Sequence, residues 1–185
     1  MRVLLPLARV GKRSPVLILA FLAASCGGSA KHEQTAAHVA VRGPGFRFEA
    51  PAAWHVTRIR DAAGARRDAA GSALVSATSF TLLKQYSPKL FDRAAKELDR
   101  VAATLASQAH ATLTESATVT VDGERIRAYR LRVRPKSGPA YDERIGFVLR
   151  GKREYQLLCR APAGAGDPDG ACALLYASFT TARPL

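Results

Sequence analysis

The sequence has few of the residues that build enzyme active sites and metal centres. Only three cysteines and four histidines occur among its 185 residues. The Gly-x-Ser-x-Gly, P-loop, Gly-x-Gly-x-x-Gly and His-Glu-x-x-His patterns are all absent. Of the histidines, His55 and His110 fall in the predicted domain, and a lone histidine without a placed partner does not specify catalysis. We therefore predict no enzyme activity, no metal site and no cofactor.

Acidic residues are also scarce. The chain has 28 Lys and Arg against 15 Asp and Glu, a formal charge of +13. Such an excess favours anionic partners through long-range attraction, although a GC-rich genome can produce the same arginine-rich composition. Aromatic residues do not alternate with the arginines, so we do not expect nucleic acid as a partner.

No apolar run is long enough to cross a membrane. The longest, Val16 to Ala24, falls far short of the roughly 20 residues that a membrane-spanning helix needs. Four cations precede this run and small residues follow it, which is the order of a signal peptide. We predict that residues 1–25 export the chain and are then removed.

The end of the run, Leu22-Ala23-Ala24-Ser25-Cys26, resembles the lipobox of bacterial lipoproteins, with Ala23 where leucine or valine is commoner. The resemblance implies that Cys26 is acylated, as by palmitate, and holds the protein on the extracytoplasmic face of a bacterial cell membrane. Two or more acyl chains give a stable anchor. Ordinary cleavage to a soluble secreted binding protein is the alternative.

The remaining cysteines make a pair once Cys26 carries lipid. Cys159 and Cys172 are separated by twelve residues, a spacing typical of neither a CxxC redox motif nor a zinc site. An exported protein permits disulfides, so we predict a Cys159–Cys172 bridge.

The rest of the chain divides into a tether and one domain. Residues 26–43 are small and polar, which predicts a flexible tether in which His32 and His38 are solvated. Residues 44–185 form the domain. Alternating apolar residues predict strands around Phe46, around Trp54 and over residues 74–83, with a loop over residues 61–72.

Later segments predict a helix and two hairpins. Ser87-Pro88 opens an amphipathic helix that reaches about residue 109. The Asp122-Gly123 turn then joins residues 118–121 to 125–134, and Gly151-Lys152-Arg153 joins residues 144–150 to 155–160. A short helix over residues 171–176 would bring Cys172 back to Cys159.

The order of predicted strands and helices begins with the motif Gly45-Phe46-x-Phe48-x-x-Pro51-x-x-Trp54 and ends with Ser178-Phe179. Over residues 43–182 it resembles the PsbP-like fold family. The resemblance implies an α+β fold, an α/β/α sandwich with a central antiparallel sheet of about six strands flanked by helices. It implies little about activity, because the family includes photosystem accessory proteins, a nuclear-transport regulator and bacterial lipoproteins.

Two groups of cations are the candidate binding residues. Arg130, Arg132 and Arg134 alternate with apolar residues along one strand, and Arg150, Lys152 and Arg153 cluster at a hairpin turn. Arginine forks bind phosphate and carboxylate groups well, although a solvated strand that resists edge aggregation would have the same pattern. The apolar residues of this strand occupy even-numbered positions up to Ala128 and odd-numbered positions from Tyr129 onward, which predicts a bulge between the two.

From these features we expect a monomeric, non-catalytic cell-envelope lipoprotein. It would bind a partner protein or an anionic envelope component through its basic face. A hydrolase-like envelope enzyme is the alternative, and it would need a pocket that gathers His55 or His110 with carboxylates or serines.

Overall fold

The computed structural model describes residues 37–182. The predicted signal peptide, Cys26, His32 and most of the predicted tether lie outside the described residues. Two helices occur in the described part, α1 (Phe91–Gln108) and α2 (Ala171–Ser178), each preceded by a short 3-10 turn. The strands are β1 (His38–Gly43), β2 (Phe46–Pro51), β3 (His55–Ile59), β4 (Ala62–Arg66), β5 (Leu74–Tyr86), β6 (Ala111–Val121), β7 (Glu124–Val133), β8 (Tyr141–Pro162) and β9 (Thr180–Thr181).

The strands form two sheets. The main sheet has six strands in the order β3-β4-β5-β8-β7-β6, with every neighbouring pair antiparallel. A small sheet has the order β1-β2-β9. The predicted α+β fold with an antiparallel six-stranded sheet is therefore confirmed.

Strand β8 reverses direction in its middle. Its 22 residues would extend roughly 70 Å if straight, yet the Ala163 amide donates a hydrogen bond of 3.1 Å to the Ala140 carbonyl. The reversal falls at Gly151, whose φ of +58° favours glycine. The first arm pairs with β7 over residues 141–147, and the second arm pairs with β5 over residues 153–160. The predicted second hairpin is thus present, at the centre of the main sheet.

The two faces of the main sheet are covered by different elements. Helix α1 packs Leu98, Ala102 and Ala106 against Tyr129 and Phe147 on one face. Helix α2 and the small sheet cover the other face. Their core includes Phe46, Phe48, Leu175 and Phe179, which pack with Ile126, Val148, Tyr155 and Leu157 of the main sheet.

The bulge predicted between Ala128 and Tyr129 is absent, so that prediction is wrong. Strand β7 keeps one continuous register with β8 from Arg127 to Val133. The apolar residues switch from even to odd positions because the two faces of β7 are covered by different elements. Ala128 packs under the small sheet and α2, whereas Tyr129 packs under α1. The register irregularity lies instead in β6, between Leu113 and Glu115.

Three predicted boundaries also need correction. The predicted tether is too long, because residues 38–43 form β1 against β2. The predicted loop over residues 61–72 contains β4, whose Ala63 and Ala65 are buried under the small sheet. Ser87 makes no side-chain capping bond, and Pro88 begins a 3-10 turn so that α1 starts only at Phe91. No helix within residues 37–182 is long and apolar enough to cross a membrane.

Candidate functional site

A cleft of about 290 Å³ opens at the end of the main sheet where β3 and β5 begin. Its apolar walls include Trp54, Leu74, Val75 and Ala171. Four arginines also line it, namely Arg130 and Arg132 from β7 and Arg144 and Arg160 from β8. A concave site with apolar walls and a few placed charges is the usual form of a small-ligand site.

Two of these arginines are neutralised by neighbouring carboxylates. Arg132 lies directly across from Asp142 and binds it through two hydrogen bonds, of which Nη2–Oδ2 measures 3.0 Å. Because this bond favours the ionised carboxylate, it lowers the pKa of Asp142. Arg160 donates to Glu143 at 2.7 Å and stacks over the Tyr141 ring. These pairs shape the cleft but leave little free charge.

Arg130 and Arg144 differ, because they are cross-strand partners of like charge. Arg130 contacts Glu115 at 3.0 Å, and both side chains are more than half exposed, so the pair is weak. Within residues 37–182, no carboxylate lies at ion-pair distance from Arg144, and its guanidinium lies against Tyr176. Like charges placed opposite one another destabilise a sheet, so this arrangement favours an anion between them.

A buried tyrosine supports Arg144. The guanidinium carbon lies 4.1 Å from the centroid of the Tyr176 ring. Burial raises the pKa of Tyr176, and the neighbouring Arg144 guanidinium offsets part of that rise. No group within residues 37–182 makes a hydrogen bond of good geometry with the buried Tyr176 hydroxyl. A Cβ atom on Gly146 would come within 2.6 Å of that hydroxyl. The ring therefore depends on glycine at position 146 for its place beneath Arg144.

The predicted Cys159–Cys172 disulfide is present, with a Cα–Cα distance of 5.5 Å. It fastens α2 to the second arm of β8 at the wall of the cleft. Asp167 accepts hydrogen bonds from the Cys172 and Ala173 amides at 2.8 and 2.9 Å, so these amides are already bound. Trp54 Nε1 donates to Asp169 at 2.9 Å and fixes the facing wall.

The other predicted cations lie elsewhere. Arg134 is exposed just past the end of β7 and does not line the cleft. Arg150 contacts Asp122 at 2.8 Å and Glu124 at 3.3 Å, and also bonds Thr181. Lys152 is exposed at the turn of β8, and Arg153 donates to Ser79 at 3.2 Å. The structure therefore brings Arg130 and Arg132 into one cleft and leaves the other four predicted cations outside it.

Sequence reasoning missed Arg144 and Arg160. The Gly151 turn sets the register between the two arms of β8, whereas the position of Arg144 opposite Arg130 depends on the separate register between β7 and β8. His55 and His110 are exposed and do not line the cleft. No group of three or more His, Cys, Asp or Glu side chains within residues 37–182 could hold a metal ion.

The main sheet, α1 on one face, and α2 with the small sheet on the other define an α+β protein of PsbP-like fold. The solution structure of cyanobacterial PsbP (CyanoP) from Synechocystis is similar, with a TM-score of 0.51 and 13% identity. That match covers 85% of this chain and 97% of the other.

A crystal structure from Bacteroides thetaiotaomicron is also similar, with a TM-score of 0.55 and 10% identity. It covers 77% of this chain, which spans about half (48%) of the other. At these identities the similarity shows the fold alone. No protein-family model and no curated protein matches the sequence.

Proposed function

We propose that the protein is an exported, non-catalytic lipoprotein that binds an anionic component of the bacterial envelope in its arginine-lined cleft. Cys26 would hold it by lipid on the extracytoplasmic face of the membrane. The observation that carries the proposal is Arg144, which lies against Tyr176 and faces Arg130 without a carboxylate of its own in the described residues.

The residues of the cleft support binding better than catalysis. Asp142 and Glu143 are paired with arginines, and Asp167 accepts hydrogen bonds from two backbone amides, so each carboxylate of the cleft already has a partner within the fold. The side chains that line the cleft include no histidine and no free thiol. A general base needs a hydrogen bond to a positioned nucleophile, and no such pair lines the cleft.

The charge of the whole chain agrees with an anionic ligand. Omitting the four cations of the predicted leader still leaves 24 Lys and Arg against 15 Asp and Glu. Such an excess raises the local concentration of anions, while the arginine forks of the cleft supply the directional bonds.

Binding is tested with anilinonaphthalene sulfonate, a probe that joins an anionic group to an apolar ring. Trp54 is the single tryptophan of the chain and lines the cleft, so energy transfer from it reports probes bound there. We expect Arg144→Gln to weaken binding at least tenfold and added salt to weaken wild-type binding. Arg134→Gln, which removes an exposed arginine outside the cleft, is the matched control. Equal losses in both variants would contradict the proposal.

The anchor is tested by intact mass and detergent partitioning of the protein from a bacterial host, beside Cys26→Ser. We expect the wild type to be processed, acylated and detergent-soluble, and the variant to lack acyl groups. A wild type that is cleaved but not acylated would overturn the lipoprotein assignment and leave a secreted binding protein.

A further inference from the structure

The geometry of the Arg130–Arg144 pair restricts the ligand class. Directly opposed residues on antiparallel strands have Cβ atoms about 5 Å apart, so two guanidinium forks can reach one small group from both sides. A carboxylate presents two oxygens in one plane, a geometry that matches a single fork. A phosphodiester presents two charged oxygens and, outside their plane, two bridging oxygens, so its tetrahedral group offers acceptors to forks that approach from both sides.

The net charge of the cleft restricts the ligand class further. Arg132 and Arg160 are neutralised by Asp142 and Glu143, and Arg130 shares part of its charge with exposed Glu115. Counted over all lining residues, the four arginines face three carboxylates, Asp142, Glu143 and Asp167, so the cleft keeps about one uncompensated positive charge. A phosphodiester carries one negative charge and matches this balance.

The apolar walls indicate that the phosphate carries a hydrocarbon portion. Trp54, Leu74 and Val75 line the same cleft as the two arginines, together with the Cys159–Cys172 bridge. A free inorganic anion would gain nothing from these surfaces. An amphiphile would bury its first methylene groups there, at about 0.8 kcal/mol each.

The position of the cleft in the domain indicates a membrane source. The Ala52 amide donates to the Ala37 carbonyl at 3.1 Å, two residues before Trp54. The described chain therefore starts at the cleft end of the main sheet. Only residues 26–36 separate this point from the proposed lipid on Cys26, at most about 40 Å of extended chain.

We propose that Arg130 and Arg144 bind the headgroup phosphodiester of an anionic membrane phospholipid, with its acyl portion along the Trp54 wall. This inference rests on the proposed function and names its ligand.

The test uses full-length Cys26→Ser protein, which lacks its own acyl groups, and follows Trp54 emission. Dihexanoyl phosphatidylglycerol below its micelle concentration is the lipid probe, and inorganic phosphate is the free-anion probe. We expect the lipid to bind at least tenfold more tightly than phosphate, and Arg144→Gln to weaken both at least tenfold. Arg134→Gln should change neither.

A gain-of-function variant guards against loss through misfolding. Glu115→Gln removes the carboxylate that competes for Arg130, so the lipid should bind at least twofold more tightly while the thermal unfolding midpoint stays close to wild type. Unchanged or weaker binding in a folded Glu115→Gln protein would contradict the role of Arg130.

The other outcomes separate this inference from the proposed function. Equal affinity for lipid and phosphate would overturn the membrane source. Binding of anilinonaphthalene sulfonate that depends on Arg144, without binding of either phosphate compound, would overturn the inference and leave the proposed function intact. Failure of every probe to respond to Arg144→Gln would overturn both.

Discussion

The two ends of the main sheet hold their arginines in opposite electrostatic states. At the end where β8 turns, Arg150 bonds Asp122 and Thr181, and Asp122 also accepts hydrogen bonds from the amide and hydroxyl of Thr181. At the cleft end, Arg144 faces another arginine. Both residues belong to the first arm of β8, so sequence type alone does not separate them. The acceptors around each arginine decide whether its guanidinium is already bonded within the fold, as in Arg150, or is available to a ligand, as we propose for Arg144.

Arg127 is a third arginine whose role is decided by the acceptors around it. Arg127 binds Asp99 of α1 at 2.7 Å, and Tyr129 donates to the same carboxylate at 2.7 Å. The Tyr129 hydrogen bond is the main reason that the pKa of Asp99 is lowered. This network fastens α1 to β7, and all three nitrogens of the Arg127 guanidinium make hydrogen bonds within the domain.

Removing the disulfide is the strongest way to disturb the cleft end. Cys159 and Cys172 lie 13 positions apart, and a loop of this size contributes about 3 kcal/mol in the chain-entropy model. We expect the Cys159→Ala, Cys172→Ala double variant to lose about that much free energy of unfolding in urea. Its affinity for anilinonaphthalene sulfonate should fall as well, because α2 is no longer fastened at the wall. Reduction of the wild type should reproduce both effects.

Removing Arg150 is the corresponding test at the other end. The change to alanine leaves Asp122 and Glu124 without their cation, and losing hydrogen bonds to charged groups costs about 2 kcal/mol. We expect chemical unfolding to show this loss while probe binding in the cleft stays unchanged. Lys152→Ala, an exposed neighbour, is the control. Equal stability losses in the two variants would contradict a structural role for Arg150.

Acid should weaken the cleft through Asp142. Its pKa is lowered in the folded protein by the Arg132 hydrogen bond, from an ordinary value of 3.8. A lowered folded pKa stabilises the protein above the ordinary value, and this contribution is lost as pH falls through the folded pKa. We expect stability to decline below about pH 4 and to decline less in Asp142→Asn. The urea midpoint of unfolding, measured as a function of pH, tests this expectation. The same decline in the wild type and in Asp142→Asn would contradict it.

Arg144→Gln should have the smallest effect on stability. It removes a cation–π contact with Tyr176 worth about 0.5 kcal/mol and at the same time relieves repulsion from Arg130. A small change in unfolding free energy beside a large loss of probe binding would sharpen the contrast with Arg150. A loss as large as that of Arg150→Ala would remove the contrast.

Local signals in the sequence predicted much of the fold. Glycine at the Asp122-Gly123 and Gly151 turns located both hairpins, and Phe46 with Phe48 located β2. Strand β4 was missed because alanine and glycine carry no strand signal, although Ala63 and Ala65 are buried by the small sheet above them. The bulge error has the same origin, since coverage by other elements is a tertiary property.

The candidate site was predicted only in part. Alternation along β7 identified Arg130 and Arg132 as residues of one face. The neutralisation of Arg150 could not be predicted, because its partner Asp122 is 28 positions away. The importance of Arg144 likewise depends on the register between two strands and on a tyrosine from α2.

The pairing of β2 with β9 constrains the order in which the domain can assemble. Arg47 Nε donates to Thr180 Oγ1 across 133 positions of sequence. The hairpins of the main sheet close over short loops and can form early, whereas this contact carries the entropic cost of closing a loop of 133 positions. A chain that is synthesised from its N-terminus therefore keeps Phe46 and Phe48 incompletely covered until Phe179 and β9 have been made. The domain reaches its native state only after β9 joins the small sheet.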